Sequence, residues 1–422
     1  MTTVQSDTVA DRIHAYLTDE LDRRFEEVPF DAQPDVAWQR MREAGTQLWL
    51  DTGDMDEAAK LWNSEFSALT TNNSLLNNEV QKGIYDDIVN GAANVIREAD
   101  PDIDSRALLL ELAFILNACH AMRLVERFNV NVSVELHTDL AHDAERSVAY
   151  GQRYFALCPE KFIIKIPLTP AGFIAARRLG QLSIPVNFTL NFSARQDYFA
   201  ARFSNPTYVN VFLGRLNAFV KDHGLGDGEN VGEKTVLSTQ RELIALRESG
   251  DSQTKLIGAS IRSGDQVVDI AGVDVQTIPT KAATQFRDSA SEDAIPSKIL
   301  LDPEIVLSDG VSVQDFNGAT LWDVPDDFKA CVDDLMNQNM DQLDATQLQE
   351  HFHAAGQGDF MPKWTPAEVA TIASDGKIPI YETWKERLSS GDLGLDALIN
   401  LSGLQAFTKD QKALDDRVAL HI

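Results

Sequence analysis

Eight short stretches rich in branched and aromatic apolar residues recur along the chain, at 46–50, 67–71, 131–136, 162–166, 184–190, 208–213, 255–260 and 275–279. Several are continuous apolar runs rather than alternating ones, as parallel strands covered on both faces require. Helical stretches such as 54–63, 140–156 and 235–248 lie between them. Thr169 and Pro170 precede the apolar-periodic 171–179, and Gly180 closes it, so that an N-cap, a first-turn proline and a terminal glycine bracket one helix. Strand and helix alternating eight times predict the α/β class and a closed (β/α)8 TIM barrel over residues 46–290.

The flanks carry extra helices. Residues 1–45 read as one or two amphipathic helices on the barrel's outside, with Arg12, Arg23 and Arg24 among many acids. The connection 77–128 is long enough for two helices, and Asp104 and Ser105 cap the apolar second one. Residues 291–422 are too many for one closing helix and form a C-terminal helical extension.

With 44% hydrophobic and 24% charged residues, the 422-residue chain has enough apolar side chains for a large core, which excludes disorder throughout. A net charge of −28 repels phosphate backbones, and no basic patch offsets it, so nucleic acid is not an expected partner. In so acidic a chain, arginines in the barrel loops become informative. Cys119, Cys158 and Cys331 are too few and too scattered for a disulfide framework and fit a reducing compartment. Residues 1–10 lack a basic segment followed by an apolar one, and the longest apolar run, 107–122, is broken by Glu111, Asn117 and His120. A soluble, cytoplasmic protein with no membrane partner is expected.

Barrel chemistry gathers at the C-terminal ends of the strands. There Asp51 ends the first strand, Asn72 follows the second, Glu135 lies near the end of the third, and Lys165 stands in Phe-Ile-Ile-Lys-Ile-Pro within the fourth. A lysine between Ile164 and Ile166 either snorkels to the rim, pairs with a carboxylate, or is a buried amine. Taking an amine out of water favours its neutral, nucleophilic form, which attack on a ketone requires. Asp51 and Glu135 could divide the accompanying proton transfers. Asp51 could instead cap the next helix, although Asp54 is the better-placed cap. His351 and His353 lack a third nearby ligand, so they read as rim or core residues and no metal is expected. Gly224, Gly226 and Gly228 lie in a polar loop without the strand and helix that a dinucleotide site needs, and they read as a turn.

Seven segments resemble those of transaldolases, and in the same order: Leu-Trp-Leu-Asp51-Thr-Gly-Asp54, Leu-Thr70-Thr71-Asn72, Val-Ser-Val-Glu135, Ile-Ile-Lys165-Ile-Pro, Val-Asn187-Phe-Thr189-Leu, Phe212-Leu-Gly-Arg215 and Gly-Ala-Ser260-Ile-Arg262. The likeness spans roughly residues 47–286 and returns at 407–414, which resembles the family's terminal helix and implies a closing helix over 404–420. By this resemblance Lys165 is the Schiff-base lysine and Asp51 the base at the donor's C4 hydroxyl. Glu135 and Thr189 hold a proton-relaying water. Asn72 and Asn187 bind the dihydroxyacetone hydroxyls with Thr70 beside them, and Arg215, Ser260 and Arg262 bind phosphate. Two positions depart from the family's pattern. Asn73 replaces a proline, which could loosen the loop after the second strand, and Asn210 stands where serine is frequent near the substrate.

The resemblance implies transfer of dihydroxyacetone between a ketose phosphate and an aldose phosphate in the pentose phosphate pathway. No cofactor is implied, sugar phosphates are the expected partners, and a homodimer is compatible. The nearest alternative is a fructose 6-phosphate aldolase, in which the Glu135 position typically carries glutamine and the Phe212 position tyrosine. A barrel kept as a non-catalytic scaffold is the other, and a buried lysine between two carboxylates argues against it.

Overall fold

The computed structural model describes residues 8–21, 27–291 and 293–422; Arg23 and Arg24 lie outside the described residues. Eight parallel strands close in sequence order into one barrel: β1 (Gln47–Asp51), β2 (Phe66–Thr70), β3 (Asn131–Glu135), β4 (Phe162–Pro167), β5 (Val186–Thr189), β6 (Tyr208–Phe212), β7 (Lys255–Ala259) and β8 (Val275–Pro279). The expected strands are all present, most within one or two residues of the apolar runs. β5 is shorter than its run at both ends: Ile184 and Pro185 lead in from the turn at 182–183, and Leu190 leaves the strand at φ 68°.

The lumen is filled in layers. Trp49, Ala68, Ile163, Ile257 and Val275 form an apolar floor of their own, with the Trp49 ring edge-on to Tyr208 at 4.8 Å. Side chains two positions apart share a face of a strand. One step above the floor, the same strands therefore carry Asp51, Thr70, Lys165, Asn210 and Thr277 on the same face, a polar layer at the C-terminal end.

Helices cover the outside. Val36–Glu43, capped by Asp35, brings Trp38 between the rings of Phe66 and Phe286 at 5.0 and 4.5 Å. Asp104 caps Ser105–Phe128, as its position in the sequence implies. Among the described residues this one helix is long and apolar enough to cross a membrane by length and composition, and 72% of its most apolar window is buried within the protein.

The extension is helical as expected and lies against the barrel's helices rather than apart from them. Phe352 and Phe360 pack on Phe199 of the Ala194–Phe203 helix, their rings 4.9 and 5.7 Å from it, and Phe328 lies behind them. The glycine-rich loop pairs with this segment through a bridge between Gly226 and Leu307. His351 and His353 each meet a different backbone carbonyl, those of Cys331 and Met361. The chain ends in one 25-residue helix, Leu395–Ala419, which begins nine residues before the expected 404. Its first turns escape a periodicity reading because Asp396, Ser402 and Gly403 are fully or nearly fully buried there among leucines.

Candidate active site

Lys165 stands at the centre of the polar layer. Its side chain is 3% exposed, Nζ donates to the carbonyl of Thr71 at 3.1 Å, and Glu135 Oε2 lies 3.9 Å away. Strand register accounts for the grouping, because Glu135, Lys165 and Asn187 are direct partners across β3, β4 and β5. Asp51 is not used as a cap. Asp54 takes that role, accepting from the N–H groups of Asp56 and Glu57 at 2.9 and 3.0 Å. Asp51 Oδ1 is enclosed and has no hydrogen-bond partner. Burial pushes the Asp51 carboxyl up to about 6, with the Lys165 charge opposing the rise. Glu135 is raised too, first by burial and also by Asp51, against the pull of Lys165 and a backbone N–H from Asn73.

Around this centre the amides form a chain. Asn187 donates to Ser133 Oγ at 2.9 Å, and Asn210 donates to Asn187 Oδ1 and to the carbonyl of Phe188. Asn210 therefore orients Asn187 and has its N–H groups engaged within the protein. Thr70 is held by Thr277 through a 2.9 Å hydroxyl pair. The Asn72 Oδ1 caps the Asn73–Gln81 helix at Leu75 N, so its amide nitrogen is the atom left for a ligand. Thr189 Oγ1 is buried without a partner.

A cationic corner adjoins this layer. Arg215, on the first turn after β6, is 6% exposed, and its Nη1 is buried with no hydrogen-bond partner. Burial and the neighbouring charge of Arg262 bring the guanidinium down to about 10, with Asp410 opposing them; it remains charged at neutral pH. The Arg262 side chain lies directly over Gly214, where an added Cβ would stand 2.5 Å from Nε, so glycine is what lets the two arginines approach. Ser260 reaches the same corner in the left-handed region at φ 61°. Phe212 lies under Arg215, the guanidinium carbon 5.9 Å from its ring centre.

The C-terminal helix crosses the barrel mouth. Asn400 donates to the carbonyls of Leu168 and Leu190, just beyond β4 and β5, at 3.0 and 2.8 Å. Farther along, the Phe407 ring lies 5.6 Å from the Arg215 guanidinium, and Asp410 accepts from Ser74. The helix start is clamped by Arg195, which holds Asp396 through two 2.8 Å bonds while its other nitrogen meets Asp359 at 2.8 Å.

Every site residue expected from the sequence lies on the barrel's C-terminal side, in or next to this arrangement. Sequence reasoning missed the Thr71 carbonyl on Lys165, the Ser133 hydroxyl on Asn187 and the backbone N–H of Asn73 on Glu135 at 3.1 Å. The first and last are main-chain groups, which have no sequence signature. Asn73 is 1% exposed and also ties its amide to the Leu136 carbonyl at 3.4 Å.

Residues 48–342 match the family model of transaldolase/fructose-6-phosphate aldolase. The chain belongs to this family. A transaldolase from Protochlamydia amoebophila is 28% identical over 270 residues, covering 60% of this chain and 80% of that one. A probable transaldolase from Thermus thermophilus is 34% identical over 200 residues, 47% of this chain and 80% of its own length. A transaldolase from Schizosaccharomyces pombe is 27% identical over 268 residues, covering 62% and 80%. The transaldolase/fructose-6-phosphate aldolase match ends at residue 342, so the clamp residues Asp359 and Asp396 lie past it.

Proposed function

We propose that this enzyme transfers a dihydroxyacetone unit from a ketose phosphate to an aldose phosphate through a Schiff base on Lys165. Sedoheptulose 7-phosphate and glyceraldehyde 3-phosphate would give erythrose 4-phosphate and fructose 6-phosphate, a reaction of the pentose phosphate pathway. The observation that carries this reading is a buried Lys165 amine beside Glu135, with an enclosed Asp51 oxygen in the same layer that has no partner.

In this reading a proton passes from Lys165 to a neighbouring carboxylate, and the freed lone pair attacks the ketone carbon. Water leaves the carbinolamine with a proton relayed through a second water that Glu135 and Thr189 hold. Asp51 then takes the C4 hydroxyl proton as the C3–C4 bond breaks, the electron pair moves to the iminium nitrogen, and the aldose leaves. A carboxyl raised toward neutrality suits such an exchange. Asn72 and Asn187 meet the donor's hydroxyls. Arg215, Arg262 and Ser260 take the phosphate, for which a buried guanidinium nitrogen without a partner is a strong physical motive.

Cleavage of fructose 6-phosphate to free dihydroxyacetone is the rival activity within the family. Glu135 and Phe212 stand where the resemblance associates glutamine and tyrosine with that branch, so transfer is favoured. Two measurements test the reading. Borohydride with fructose 6-phosphate should add the reduced sugar to Lys165, and neither Lys165→Ala nor Lys165→Arg should be trapped; label on a different lysine overturns the mechanism. In a coupled assay, product formation from fructose 6-phosphate should depend on added erythrose 4-phosphate. Equal turnover without the acceptor would identify an aldolase instead.

A further inference from the structure

Glu135 is held from both ends. Asn117 donates to its main-chain carbonyl at 2.7 Å, and the Asn73 N–H donates to carboxylate Oε2 at 3.1 Å, the same oxygen that faces Lys165 at 3.9 Å. Asn73 is the first residue of a nine-residue helix, where an N–H has no partner within the helix. The Asn72 side chain satisfies Leu75 N, two positions on, and leaves the Asn73 N–H for the carboxylate. The helix N-terminus also favours negative charge. The charged groups acting on Glu135 are Lys165 from β4 and Asp51 from β1, and they act in opposite directions. Burial, the largest influence, favours the protonated form, and the Asn73 bond is the neutral contact that opposes it and fixes where the carboxylate oxygen points.

We propose that Asn73 is a positioning residue for the reaction: its backbone N–H holds Oε2 of Glu135 facing Lys165 and stabilises the carboxylate form that receives the proton during imine formation. The proposal rests on the proton-relay reading of Glu135 given above. It predicts that the N–H of Asn73, more than its side chain, sets the pH dependence of that step.

The first helical position makes the experiment clean. Proline is tolerated there; it removes the N–H together with the side-chain bond to Leu136, and Asn73→Ala removes that side-chain bond by itself. Asn72 already has φ −155° and ψ 171°, the extended backbone that a residue before proline adopts. Asn73→Pro should therefore fold. Single-turnover trapping with fructose 6-phosphate and borohydride, followed by mass spectrometry across pH, reads the imine-forming step. Losing a hydrogen bond to the ionised form raises the carboxyl's pKa, so the acidic limb should move up by about one unit, with trapping near pH 6 slowed about tenfold. Asn73→Ala keeps the N–H and loses only the bond to Leu136, so its shift should be the smaller.

A proline variant with the unaltered profile overturns the proposal, as does an alanine shift equal to the proline one. If Glu135→Gln forms the imine as fast as the unaltered enzyme, the proton-relay reading fails instead. If Glu135→Gln is slow and Asn73→Pro slows it no further, both stand. Should the proline chain not fold, Glu135→Asp in the unaltered backbone answers the question. It keeps the charge but draws the oxygen away from both Asn73 and Lys165. Slowing close to that of Glu135→Gln supports the placement, and an unchanged rate overturns it.

Discussion

Arg215 lies directly beneath Gly403 of the C-terminal helix: a Cβ on that glycine would stand 3.0 Å from the guanidinium Nη1 and 2.9 Å from Leu190 Cδ2. The cover is thus fitted to the cationic corner through a residue without a side chain, and the fit makes the helix part of the wall of the proposed phosphate site.

Gly403→Ala therefore sets two effects against each other. Alanine in a helix interior is favoured over glycine by about 1 kcal/mol. The added methyl must displace either the tip of Leu190 or the buried guanidinium. Thermal stability should consequently change by less than about 1 kcal/mol, while the KM for phosphorylated donors rises several-fold. Inorganic phosphate, which stabilises a folded chain that binds it, should raise the melting temperature of the unaltered enzyme more than that of the variant. Equal stabilisation of both by phosphate would show that the anion does not bind at Arg215.

Asp51 gives a pH prediction with a definite sign. Its carboxyl is raised to about 6 in the folded chain against 3.8 as the ordinary value, so the folded state holds this proton the more tightly. The group's contribution to stability is greatest below about pH 4 and falls as pH rises toward 6, where the folded carboxyl ionises. Asp51→Asn should then be more stable than the unaltered enzyme at pH 7, by on the order of 1–3 kcal/mol, with the gap closing toward pH 4. Turnover should fall by roughly 10²–10⁴-fold, the scale of a lost general base, and its rise through pH 6 should vanish. Melting curves at pH 4 and 7 with kcat profiles decide it. A variant no more stable at pH 7 would mean that Asp51 is not held against its charge.

Much of this was legible in the chain, and the reason is physical. A parallel strand buried on both faces must be apolar throughout, so a charged residue such as Lys165 inside one stands out, and strand order then brings it beside Glu135. Asp51 and Asp54 could be told apart because only Asp54 stands directly before the helix whose N–H groups it caps. What could not be read depends on main-chain atoms or on distant partners. The Asn73 N–H carries no residue signature, and Arg195 finds Asp396 across 201 positions. The start of the final helix was hidden because that clamp allows Asp396 to be fully buried where a periodicity reading expects an apolar residue.

The cover helix should govern the fate of the enamine. Hydrolysis of that intermediate turns a transferase into an aldolase, and excluding water prevents it. Cutting the chain before Leu404 would strip Leu404, Phe407 and Leu414 from the core as well as opening the mouth, so a gentler variant separates the two effects. Asn400 is half-buried, and its amide links the helix to the Leu168 and Leu190 carbonyls at the ends of β4 and β5. Asn400→Ala removes both bonds at a cost of about 1–3 kcal/mol, which the clamp at Arg195 and the contacts with the Asn73–Gln81 helix should withstand. With fructose 6-phosphate and a limiting acceptor, the ratio of free dihydroxyacetone to transferred dihydroxyacetone should rise several-fold, while borohydride trapping at Lys165 stays intact. An unchanged ratio in the folded variant would assign water exclusion to the barrel loops and leave the helix a purely structural wall of the cationic corner.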